Sequence, residues 1–109
     1  MIRLTVLYNL ADDQDEDKFL EWRLTEHQAD NASMPGVLRT DFARVGESWP
    51  PGTTPPYRFM TTADWPDKET FEAAFYDPAE QAALKENLKL LKDPVFFISE
   101  ILVSESPNA

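Results

Sequence analysis

The chain has no cysteine. Disulfides, thiolate nucleophiles and cysteine-ligated zinc are therefore excluded. It has one histidine, His27, which leaves an imidazole-based metal site without a second ligand of its kind. Glycine is scarce: Gly36, Gly46 and Gly52 are the only three, too dispersed for a phosphate-cradling loop. Positive charge is short as well, with 10 Lys and Arg against 20 Asp and Glu and a net charge of -10 at pH 7. Nucleic acid and anionic membranes, which both call for clustered Lys and Arg, are excluded as partners. No apolar run approaches the roughly 20 residues that span a bilayer. The opening "MIRLTVLYNLADDQDED" lacks the plan of a signal peptide, so the expected location is the cytoplasm.

What is present suits one domain. Of 109 residues, 42% are hydrophobic and 12% aromatic, enough for a single core. That domain is expected over 1–105, with a short polar tail at 106–109. "IRLTVLYNL" alternates with period two, placing Ile2, Leu4, Val6 and Tyr8 on one strand face. The acidic run that follows offers Asp13 as an N-cap with Glu16 three residues on, opening a helix from about Asp15 to near Ala32. Phe19, Leu20, Arg23, Leu24, His27 and Asn31 lie on or beside one stripe of it, with Trp22 at the edge. "MPG" predicts a turn in which Pro35 fixes φ and Gly36 takes a positive φ. A second strand is expected in "VLRTDFARV", with Leu38, Thr40 and Phe42 on one face. A restrained, Pro-rich loop is expected at 46–56 and a third strand in "YRFMTTADW". Asp67 predicts a cap for one helix, and Asp77, Pro78 and Glu80 predict the start of another, continued by Leu84, Leu88 and Leu91. "DPVFFISEILVSE" reads as the last strand.

The order β-α-β-β-α-β predicts a ferredoxin-like α+β sandwich: an antiparallel four-stranded sheet with both helices on one face. The last strand is apolar on both faces, with Phe96 and Ile98 on one and Val95 and Phe97 on the other. Helices cover only one side of such a sheet. The second apolar side predicts a homodimer joined sheet face to sheet face.

Few constellations carry chemistry. Asp13, Asp15 and Asp17 imitate a calcium loop, but Lys18 and Leu24 occupy the positions that need glycine and a bidentate Glu. No G-x-S-x-G elbow is present. His27 is the candidate proton-transfer group, pointing toward the sheet or a pocket mouth. Tyr8, Tyr57, Trp22 and Trp65 are candidate pocket walls. The alternative for each is ordinary core packing. No metal or organic cofactor is implied.

Together, "IRLTVLYN", "WRLTEH", "MPGVLRTDFARV", "PPYRFMTTADWPDKETFEAAF", "DPAEQAAL" and "FISEIL" resemble the EthD family of the dimeric α+β barrel superfamily. The resemblance covers nearly the whole chain. It implies a ferredoxin-like protomer, a dimer and a pocket between helices and sheet. Muconolactone methylisomerase-like members place a histidine at the same interval before "MPG". This puts His27 in the pocket and brings Thr40 to it. The function implied is a cofactor-independent isomerase, cyclase, lyase or oxygenase-type enzyme. Its substrate would be an apolar, cyclic or aromatic-derived small molecule of a degradation pathway. The alternative is a non-catalytic binding or accessory protein of a catabolic operon. The chain departs from the catalytic relatives in having no second histidine, so a proton partner would have to be Tyr or a carboxylate.

Overall fold

A computed structural model describes residues 1–107; the last two residues of the expected polar tail lie outside them. Strand β1 (Ile2–Leu10) is followed by α1 (Glu16–Trp22), a π-helical turn (Arg23–His27) and α2 (Gln28–Ala32). Strands β2 (Arg39–Arg44) and β3 (Phe59–Trp65) come next, then α3 (Lys68–Phe75), α4 (Pro78–Asn87), a 3-10 turn (Leu88–Leu90) and β4 (Leu91–Glu100). The sheet order is β2-β3-β1-β4, with every neighbouring pair antiparallel. This is the ferredoxin-like topology that the element order predicts.

The period-two pattern of β1 sets the inward face. Leu4, Val6 and Tyr8 are buried against the helices, joined across the sheet by Phe59, Ala63 and Trp65 of β3. Phe19 of α1 and Phe71 and Ala74 of α3 close the core from above. The caps of the later helices fall where the sequence puts them. Asp67 accepts from the Thr70 N–H, and Asp77 accepts from the N–H groups of Ala79 and Glu80 beside Pro78.

Several expectations need correction. The first helix is capped by Asp15, which accepts from the Lys18 N–H; Asp13 is passed over because the acidic run offers more than one cap. The helix is not regular, since residues 23–27 form a π turn. Strand β2 begins at Arg39, leaving Leu38 58% exposed, and β3 begins at Phe59 rather than Tyr57. Strand β4 starts earlier, at Leu91, because its pairing with β1 reaches back to Leu10. The 46–56 loop is tied by Ser48 to Thr53, by Thr53 to the Pro50 carbonyl and by Asn9 to the Pro56 carbonyl.

The "MPG" turn is anchored from two sides. Gly36 has a φ of 74°, and a Cβ there would overlap the Thr70 methyl at the start of α3. The Trp65 indole N–H donates to the Pro35 carbonyl at 3.0 Å. Gly36→Ala is therefore expected to cost about 1–3 kcal/mol, from the left-handed backbone and the collision together, read as a lowered midpoint in urea denaturation.

On the far side of the sheet lie Thr5 and Leu7 of β1, Met60 of β3, Ala43 of β2 and Val95 and Phe97 of β4. Among the described residues, no helix covers this face. A bidentate pair, Arg3 to Asp64 at 2.8 and 3.0 Å, sits at one end of it.

Candidate functional site

Between the helices and the sheet lies a cavity of about 110 Å³. Its wall is mostly apolar, formed by Leu4, Val6, Phe19, Trp22, Met34, Ala63, Trp65, Phe75, Leu84 and Phe96. The polar groups on it are Tyr8, Arg23, His27, Asn31, Thr61, Glu80 and Asn87. An outer cleft of about 280 Å³ adjoins it, and His27, Asn31, Met34, Glu80 and Asn87 border both spaces. These five residues, from the first helical stretch, the turn that follows it and α4, form the mouth.

The π turn builds one side of that mouth. In a regular α-helix, residues five apart point about 140° away from one another. The i→i+5 closure of a π turn brings them into line. Trp22 and His27 are five apart, and their rings stack at 4.5 Å with 20° between planes. Leu24, Thr25 and Glu26 between them are exposed. The Thr25 hydroxyl donates back to the Glu21 carbonyl at 2.6 Å, occupying an acceptor at this point in the ladder.

Stacking covers one face of the His27 ring, and the residue lines both the cavity and the cleft. Among the described residues, no protein group hydrogen-bonds either ring nitrogen. Burial lowers the pKa of His27 from its ordinary value, the Arg23 cation lowers it further, and Asp30 opposes both. The imidazole is thus neutral at pH 7, with one nitrogen free to accept a proton.

Glu80 stands at the same mouth. Burial raises its pKa, and the like charges of Asp30 and Asp77 raise it further. The folded state therefore holds this proton more tightly than the unfolded chain does. Its stabilising effect is complete below the unfolded value and is lost as pH rises through the folded one. Glu80→Gln is accordingly expected to melt higher than the wild type at about pH 7, with the gain vanishing near pH 4. Thermal denaturation at the two pH values checks this.

Arg23 is the most enclosed polar group, only 1% exposed. It donates to Gln28 Oε1 at 2.8 Å and Thr61 Oγ1 at 3.3 Å, and lies 4.3 Å from the centre of the Phe42 ring. Thr61 Oγ1 is also 3.2 Å from the Tyr8 hydroxyl. Burial lowers the guanidinium pKa, but the group stays cationic at neutral pH.

Of the candidates read from the sequence, His27, Tyr8, Trp22 and Trp65 meet at this cavity. Thr40 and Tyr57 do not. Thr40 lies on β2, the edge strand farthest from β4, whereas the cavity spans β3, β1 and β4. Its hydroxyl is buried without a hydrogen-bond partner. Tyr57 precedes β3, in the approach from the Pro-rich loop. The sequence reading did not single out Arg23 and Glu80 as functional. Both carried a signal: each is a charged residue within an apolar helical stripe, Arg23 between Phe19 and His27, and Glu80 in line with Leu84.

A family model described as REDY-like protein HapK matches residues 2–102. No curated protein matches the chain. Among solved structures, an ethyl tert-butyl ether degradation (EthD) family protein from Bacillus halodurans aligns with a TM-score of 0.73 and 23% identity, covering 94% of this chain and 99% of its own. A dimeric ferredoxin-like protein of unknown function from Thermobifida fusca aligns with a TM-score of 0.69 and 24% identity, over 92% and 90%. SnoaB, a cofactor-independent oxygenase from Streptomyces nogalater, aligns with a TM-score of 0.70 and 14% identity, over 94% of each chain. These likenesses carry the fold.

Proposed function

The chain belongs to the family of REDY-like protein HapK, and on that footing we propose a cofactor-independent enzyme that moves a proton on a cyclic or aromatic-derived small molecule. The reaction is an isomerisation, cyclisation, elimination or oxygenase-type step, set in a degradation pathway of the cytoplasm. The observation that carries this reading is His27: an imidazole of lowered pKa, stacked on Trp22, lining a mostly apolar cavity. A ligand ring seated against the apolar wall presents an acidic C–H or O–H to that nitrogen. Glu80, across the mouth, is the second group able to hold a proton, so the want of a second histidine is met by a carboxylate. The likeness to a cofactor-independent oxygenase is compatible with such chemistry.

The working unit in this reading is a homodimer packed through its open sheet faces. Its support is the uncovered apolar face carrying Leu7, Met60, Val95 and Phe97, and the dimeric description of the Thermobifida fusca protein.

The test is turnover of a panel of lactones and phenols by the wild type and by His27→Ala. The variant is expected to lose about a hundredfold in kcat/KM, the lower end of what a positioned acid–base group contributes. The wild-type rate falls on the acid side as His27 takes up a proton, with a midpoint below about 6.5 because burial and Arg23 lower its pKa. Equal turnover by both proteins overturns the role of His27. No turnover, with a small molecule retained in native mass spectrometry, establishes the non-catalytic binding protein instead.

A further inference from the structure

The chain contains five arginines: Arg3, Arg23, Arg39, Arg44 and Arg58. Four of them lie within ion-pair distance of a carboxylate: Arg3 with Asp64, Arg39 with Asp41, and Arg44 and Arg58 with Glu16. All four reach solvent to some degree. Arg23 alone is fully buried, and among the described residues no carboxylate lies within ion-pair distance of it. This occurs in a protein with twice as many acidic as basic residues. An enclosed cation without a counter-charge costs several kcal/mol of desolvation. Its acceptors, Gln28 and Thr61, are neutral, and the Phe42 ring offers the face of a quadrupole, not a counter-charge. For folding alone, an apolar side chain of the same length would serve better.

We infer that Arg23 is an anion-recognition group, and that the cavity takes a planar, single-ring ligand bearing a carboxylate or an ionised phenol or enol oxygen. This rests on the pocket reading above and specifies its ligand class. Arg23 lies on the cavity wall, which is mostly apolar, and the one carboxylate on that wall, Glu80, stands out at the mouth, so the cation is little screened. Its contact with Thr61 orders the neighbouring hydroxyls. With the guanidinium donating to Thr61 Oγ1, the Thr61 proton is free to go to the Tyr8 oxygen, which turns the Tyr8 O–H toward the ligand. Arg23 and Tyr8 then offer two donors to one oxygen-bearing edge of the ring. The cavity of about 110 Å³ is somewhat smaller than one that holds benzene, roughly 150 Å³. The ring therefore seats at the cavity and extends toward the cleft past His27. An anion held at Arg23 also offsets the charge that lowers the basicity of His27, so binding and proton transfer reinforce one another.

The experiment compares benzoate with benzyl alcohol, a neutral ring of similar size, by calorimetric titration of the full chain. The wild type is expected to bind benzoate at least tenfold more tightly. Arg23→Met is expected to lose that preference while keeping its affinity for benzyl alcohol and melting no lower than the wild type. His27→Ala keeps the preference, which separates ligand recognition from proton transfer. Equal wild-type affinities, or a benzoate preference that survives in Arg23→Met, overturn the inference and leave the pocket reading standing. Binding of neither probe overturns both. Should Arg23→Met fail to fold, the wild type still decides: benzoate, and not benzyl alcohol, must shift the Arg23 Nε–H resonance. An unmoved resonance overturns the assignment.

Discussion

Trp65→Ala is expected to destabilise the protein by about 3–5 kcal/mol, the range for removing a large aromatic from a packed core. For a domain of this size that lowers the melting temperature by about 15–25 °C. Its burial and two contacts are lost at once. The indole has no exposed surface, meets the Phe71 ring edge-on at 5.1 Å, and donates its N–H to the Pro35 carbonyl. The first two place Trp65 in the core, and the third pins the turn that ends the helix bearing His27. The same substitution also enlarges the cavity by an indole. Trp65→Phe separates the effects: it keeps most of the apolar volume and loses the hydrogen bond, worth about 1 kcal/mol. Circular dichroism melts of the two variants check the ranking. A Trp65→Ala melt within a few degrees of the wild type refutes the central place given to this side chain.

In the homodimer proposed above, Phe97→Asp is expected to leave single protomers. Phe97 is 53% exposed in the single chain and lies on the helix-free face, paired with Thr5 and next to the Leu7–Val95 pair. In a two-fold interface each substitution occurs twice, so two unpaired carboxylates would be buried together. Several kcal/mol of desolvation weakens association by at least about a thousandfold. Light scattering at micromolar concentration should then report 12.5 kDa in place of twice that mass. An unchanged mass places the interface elsewhere.

The elements were legible wherever one local rule acted alone. Alternation marked the inward face of β1, and the Asp77-Pro78 pair marked the start of α4. Boundaries set by pairing were not legible. Strand β4 begins at Leu91 because Leu10 lies opposite it, a fact about β1 that the later sequence does not carry. The topology agrees with the EthD resemblance, and the family match covers almost all of the chain. The candidate site was legible in part. His27, Tyr8, Trp22 and Trp65 converge on one cavity, but Thr40 was placed there by alignment with relatives, and its edge strand lies away from it. The π turn was invisible for a different reason. Helical reading looks for partners three or four apart, and the Trp22–His27 stack joins residues five apart.

That turn has a further consequence. It puts the helix before it and the helix after it in different registers, with the core-facing Phe19 and Trp22 upstream and the mouth residue Asn31 downstream. Deleting one residue between Arg23 and His27 would restore a continuous α-helix and improve its internal bonding. Trp22 and the imidazole would then stand four apart on an ordinary helix, still in line, so the side chains beyond the deletion would keep their direction. The extra residue is therefore slack in the backbone beside the histidine, carried without turning the helix that follows.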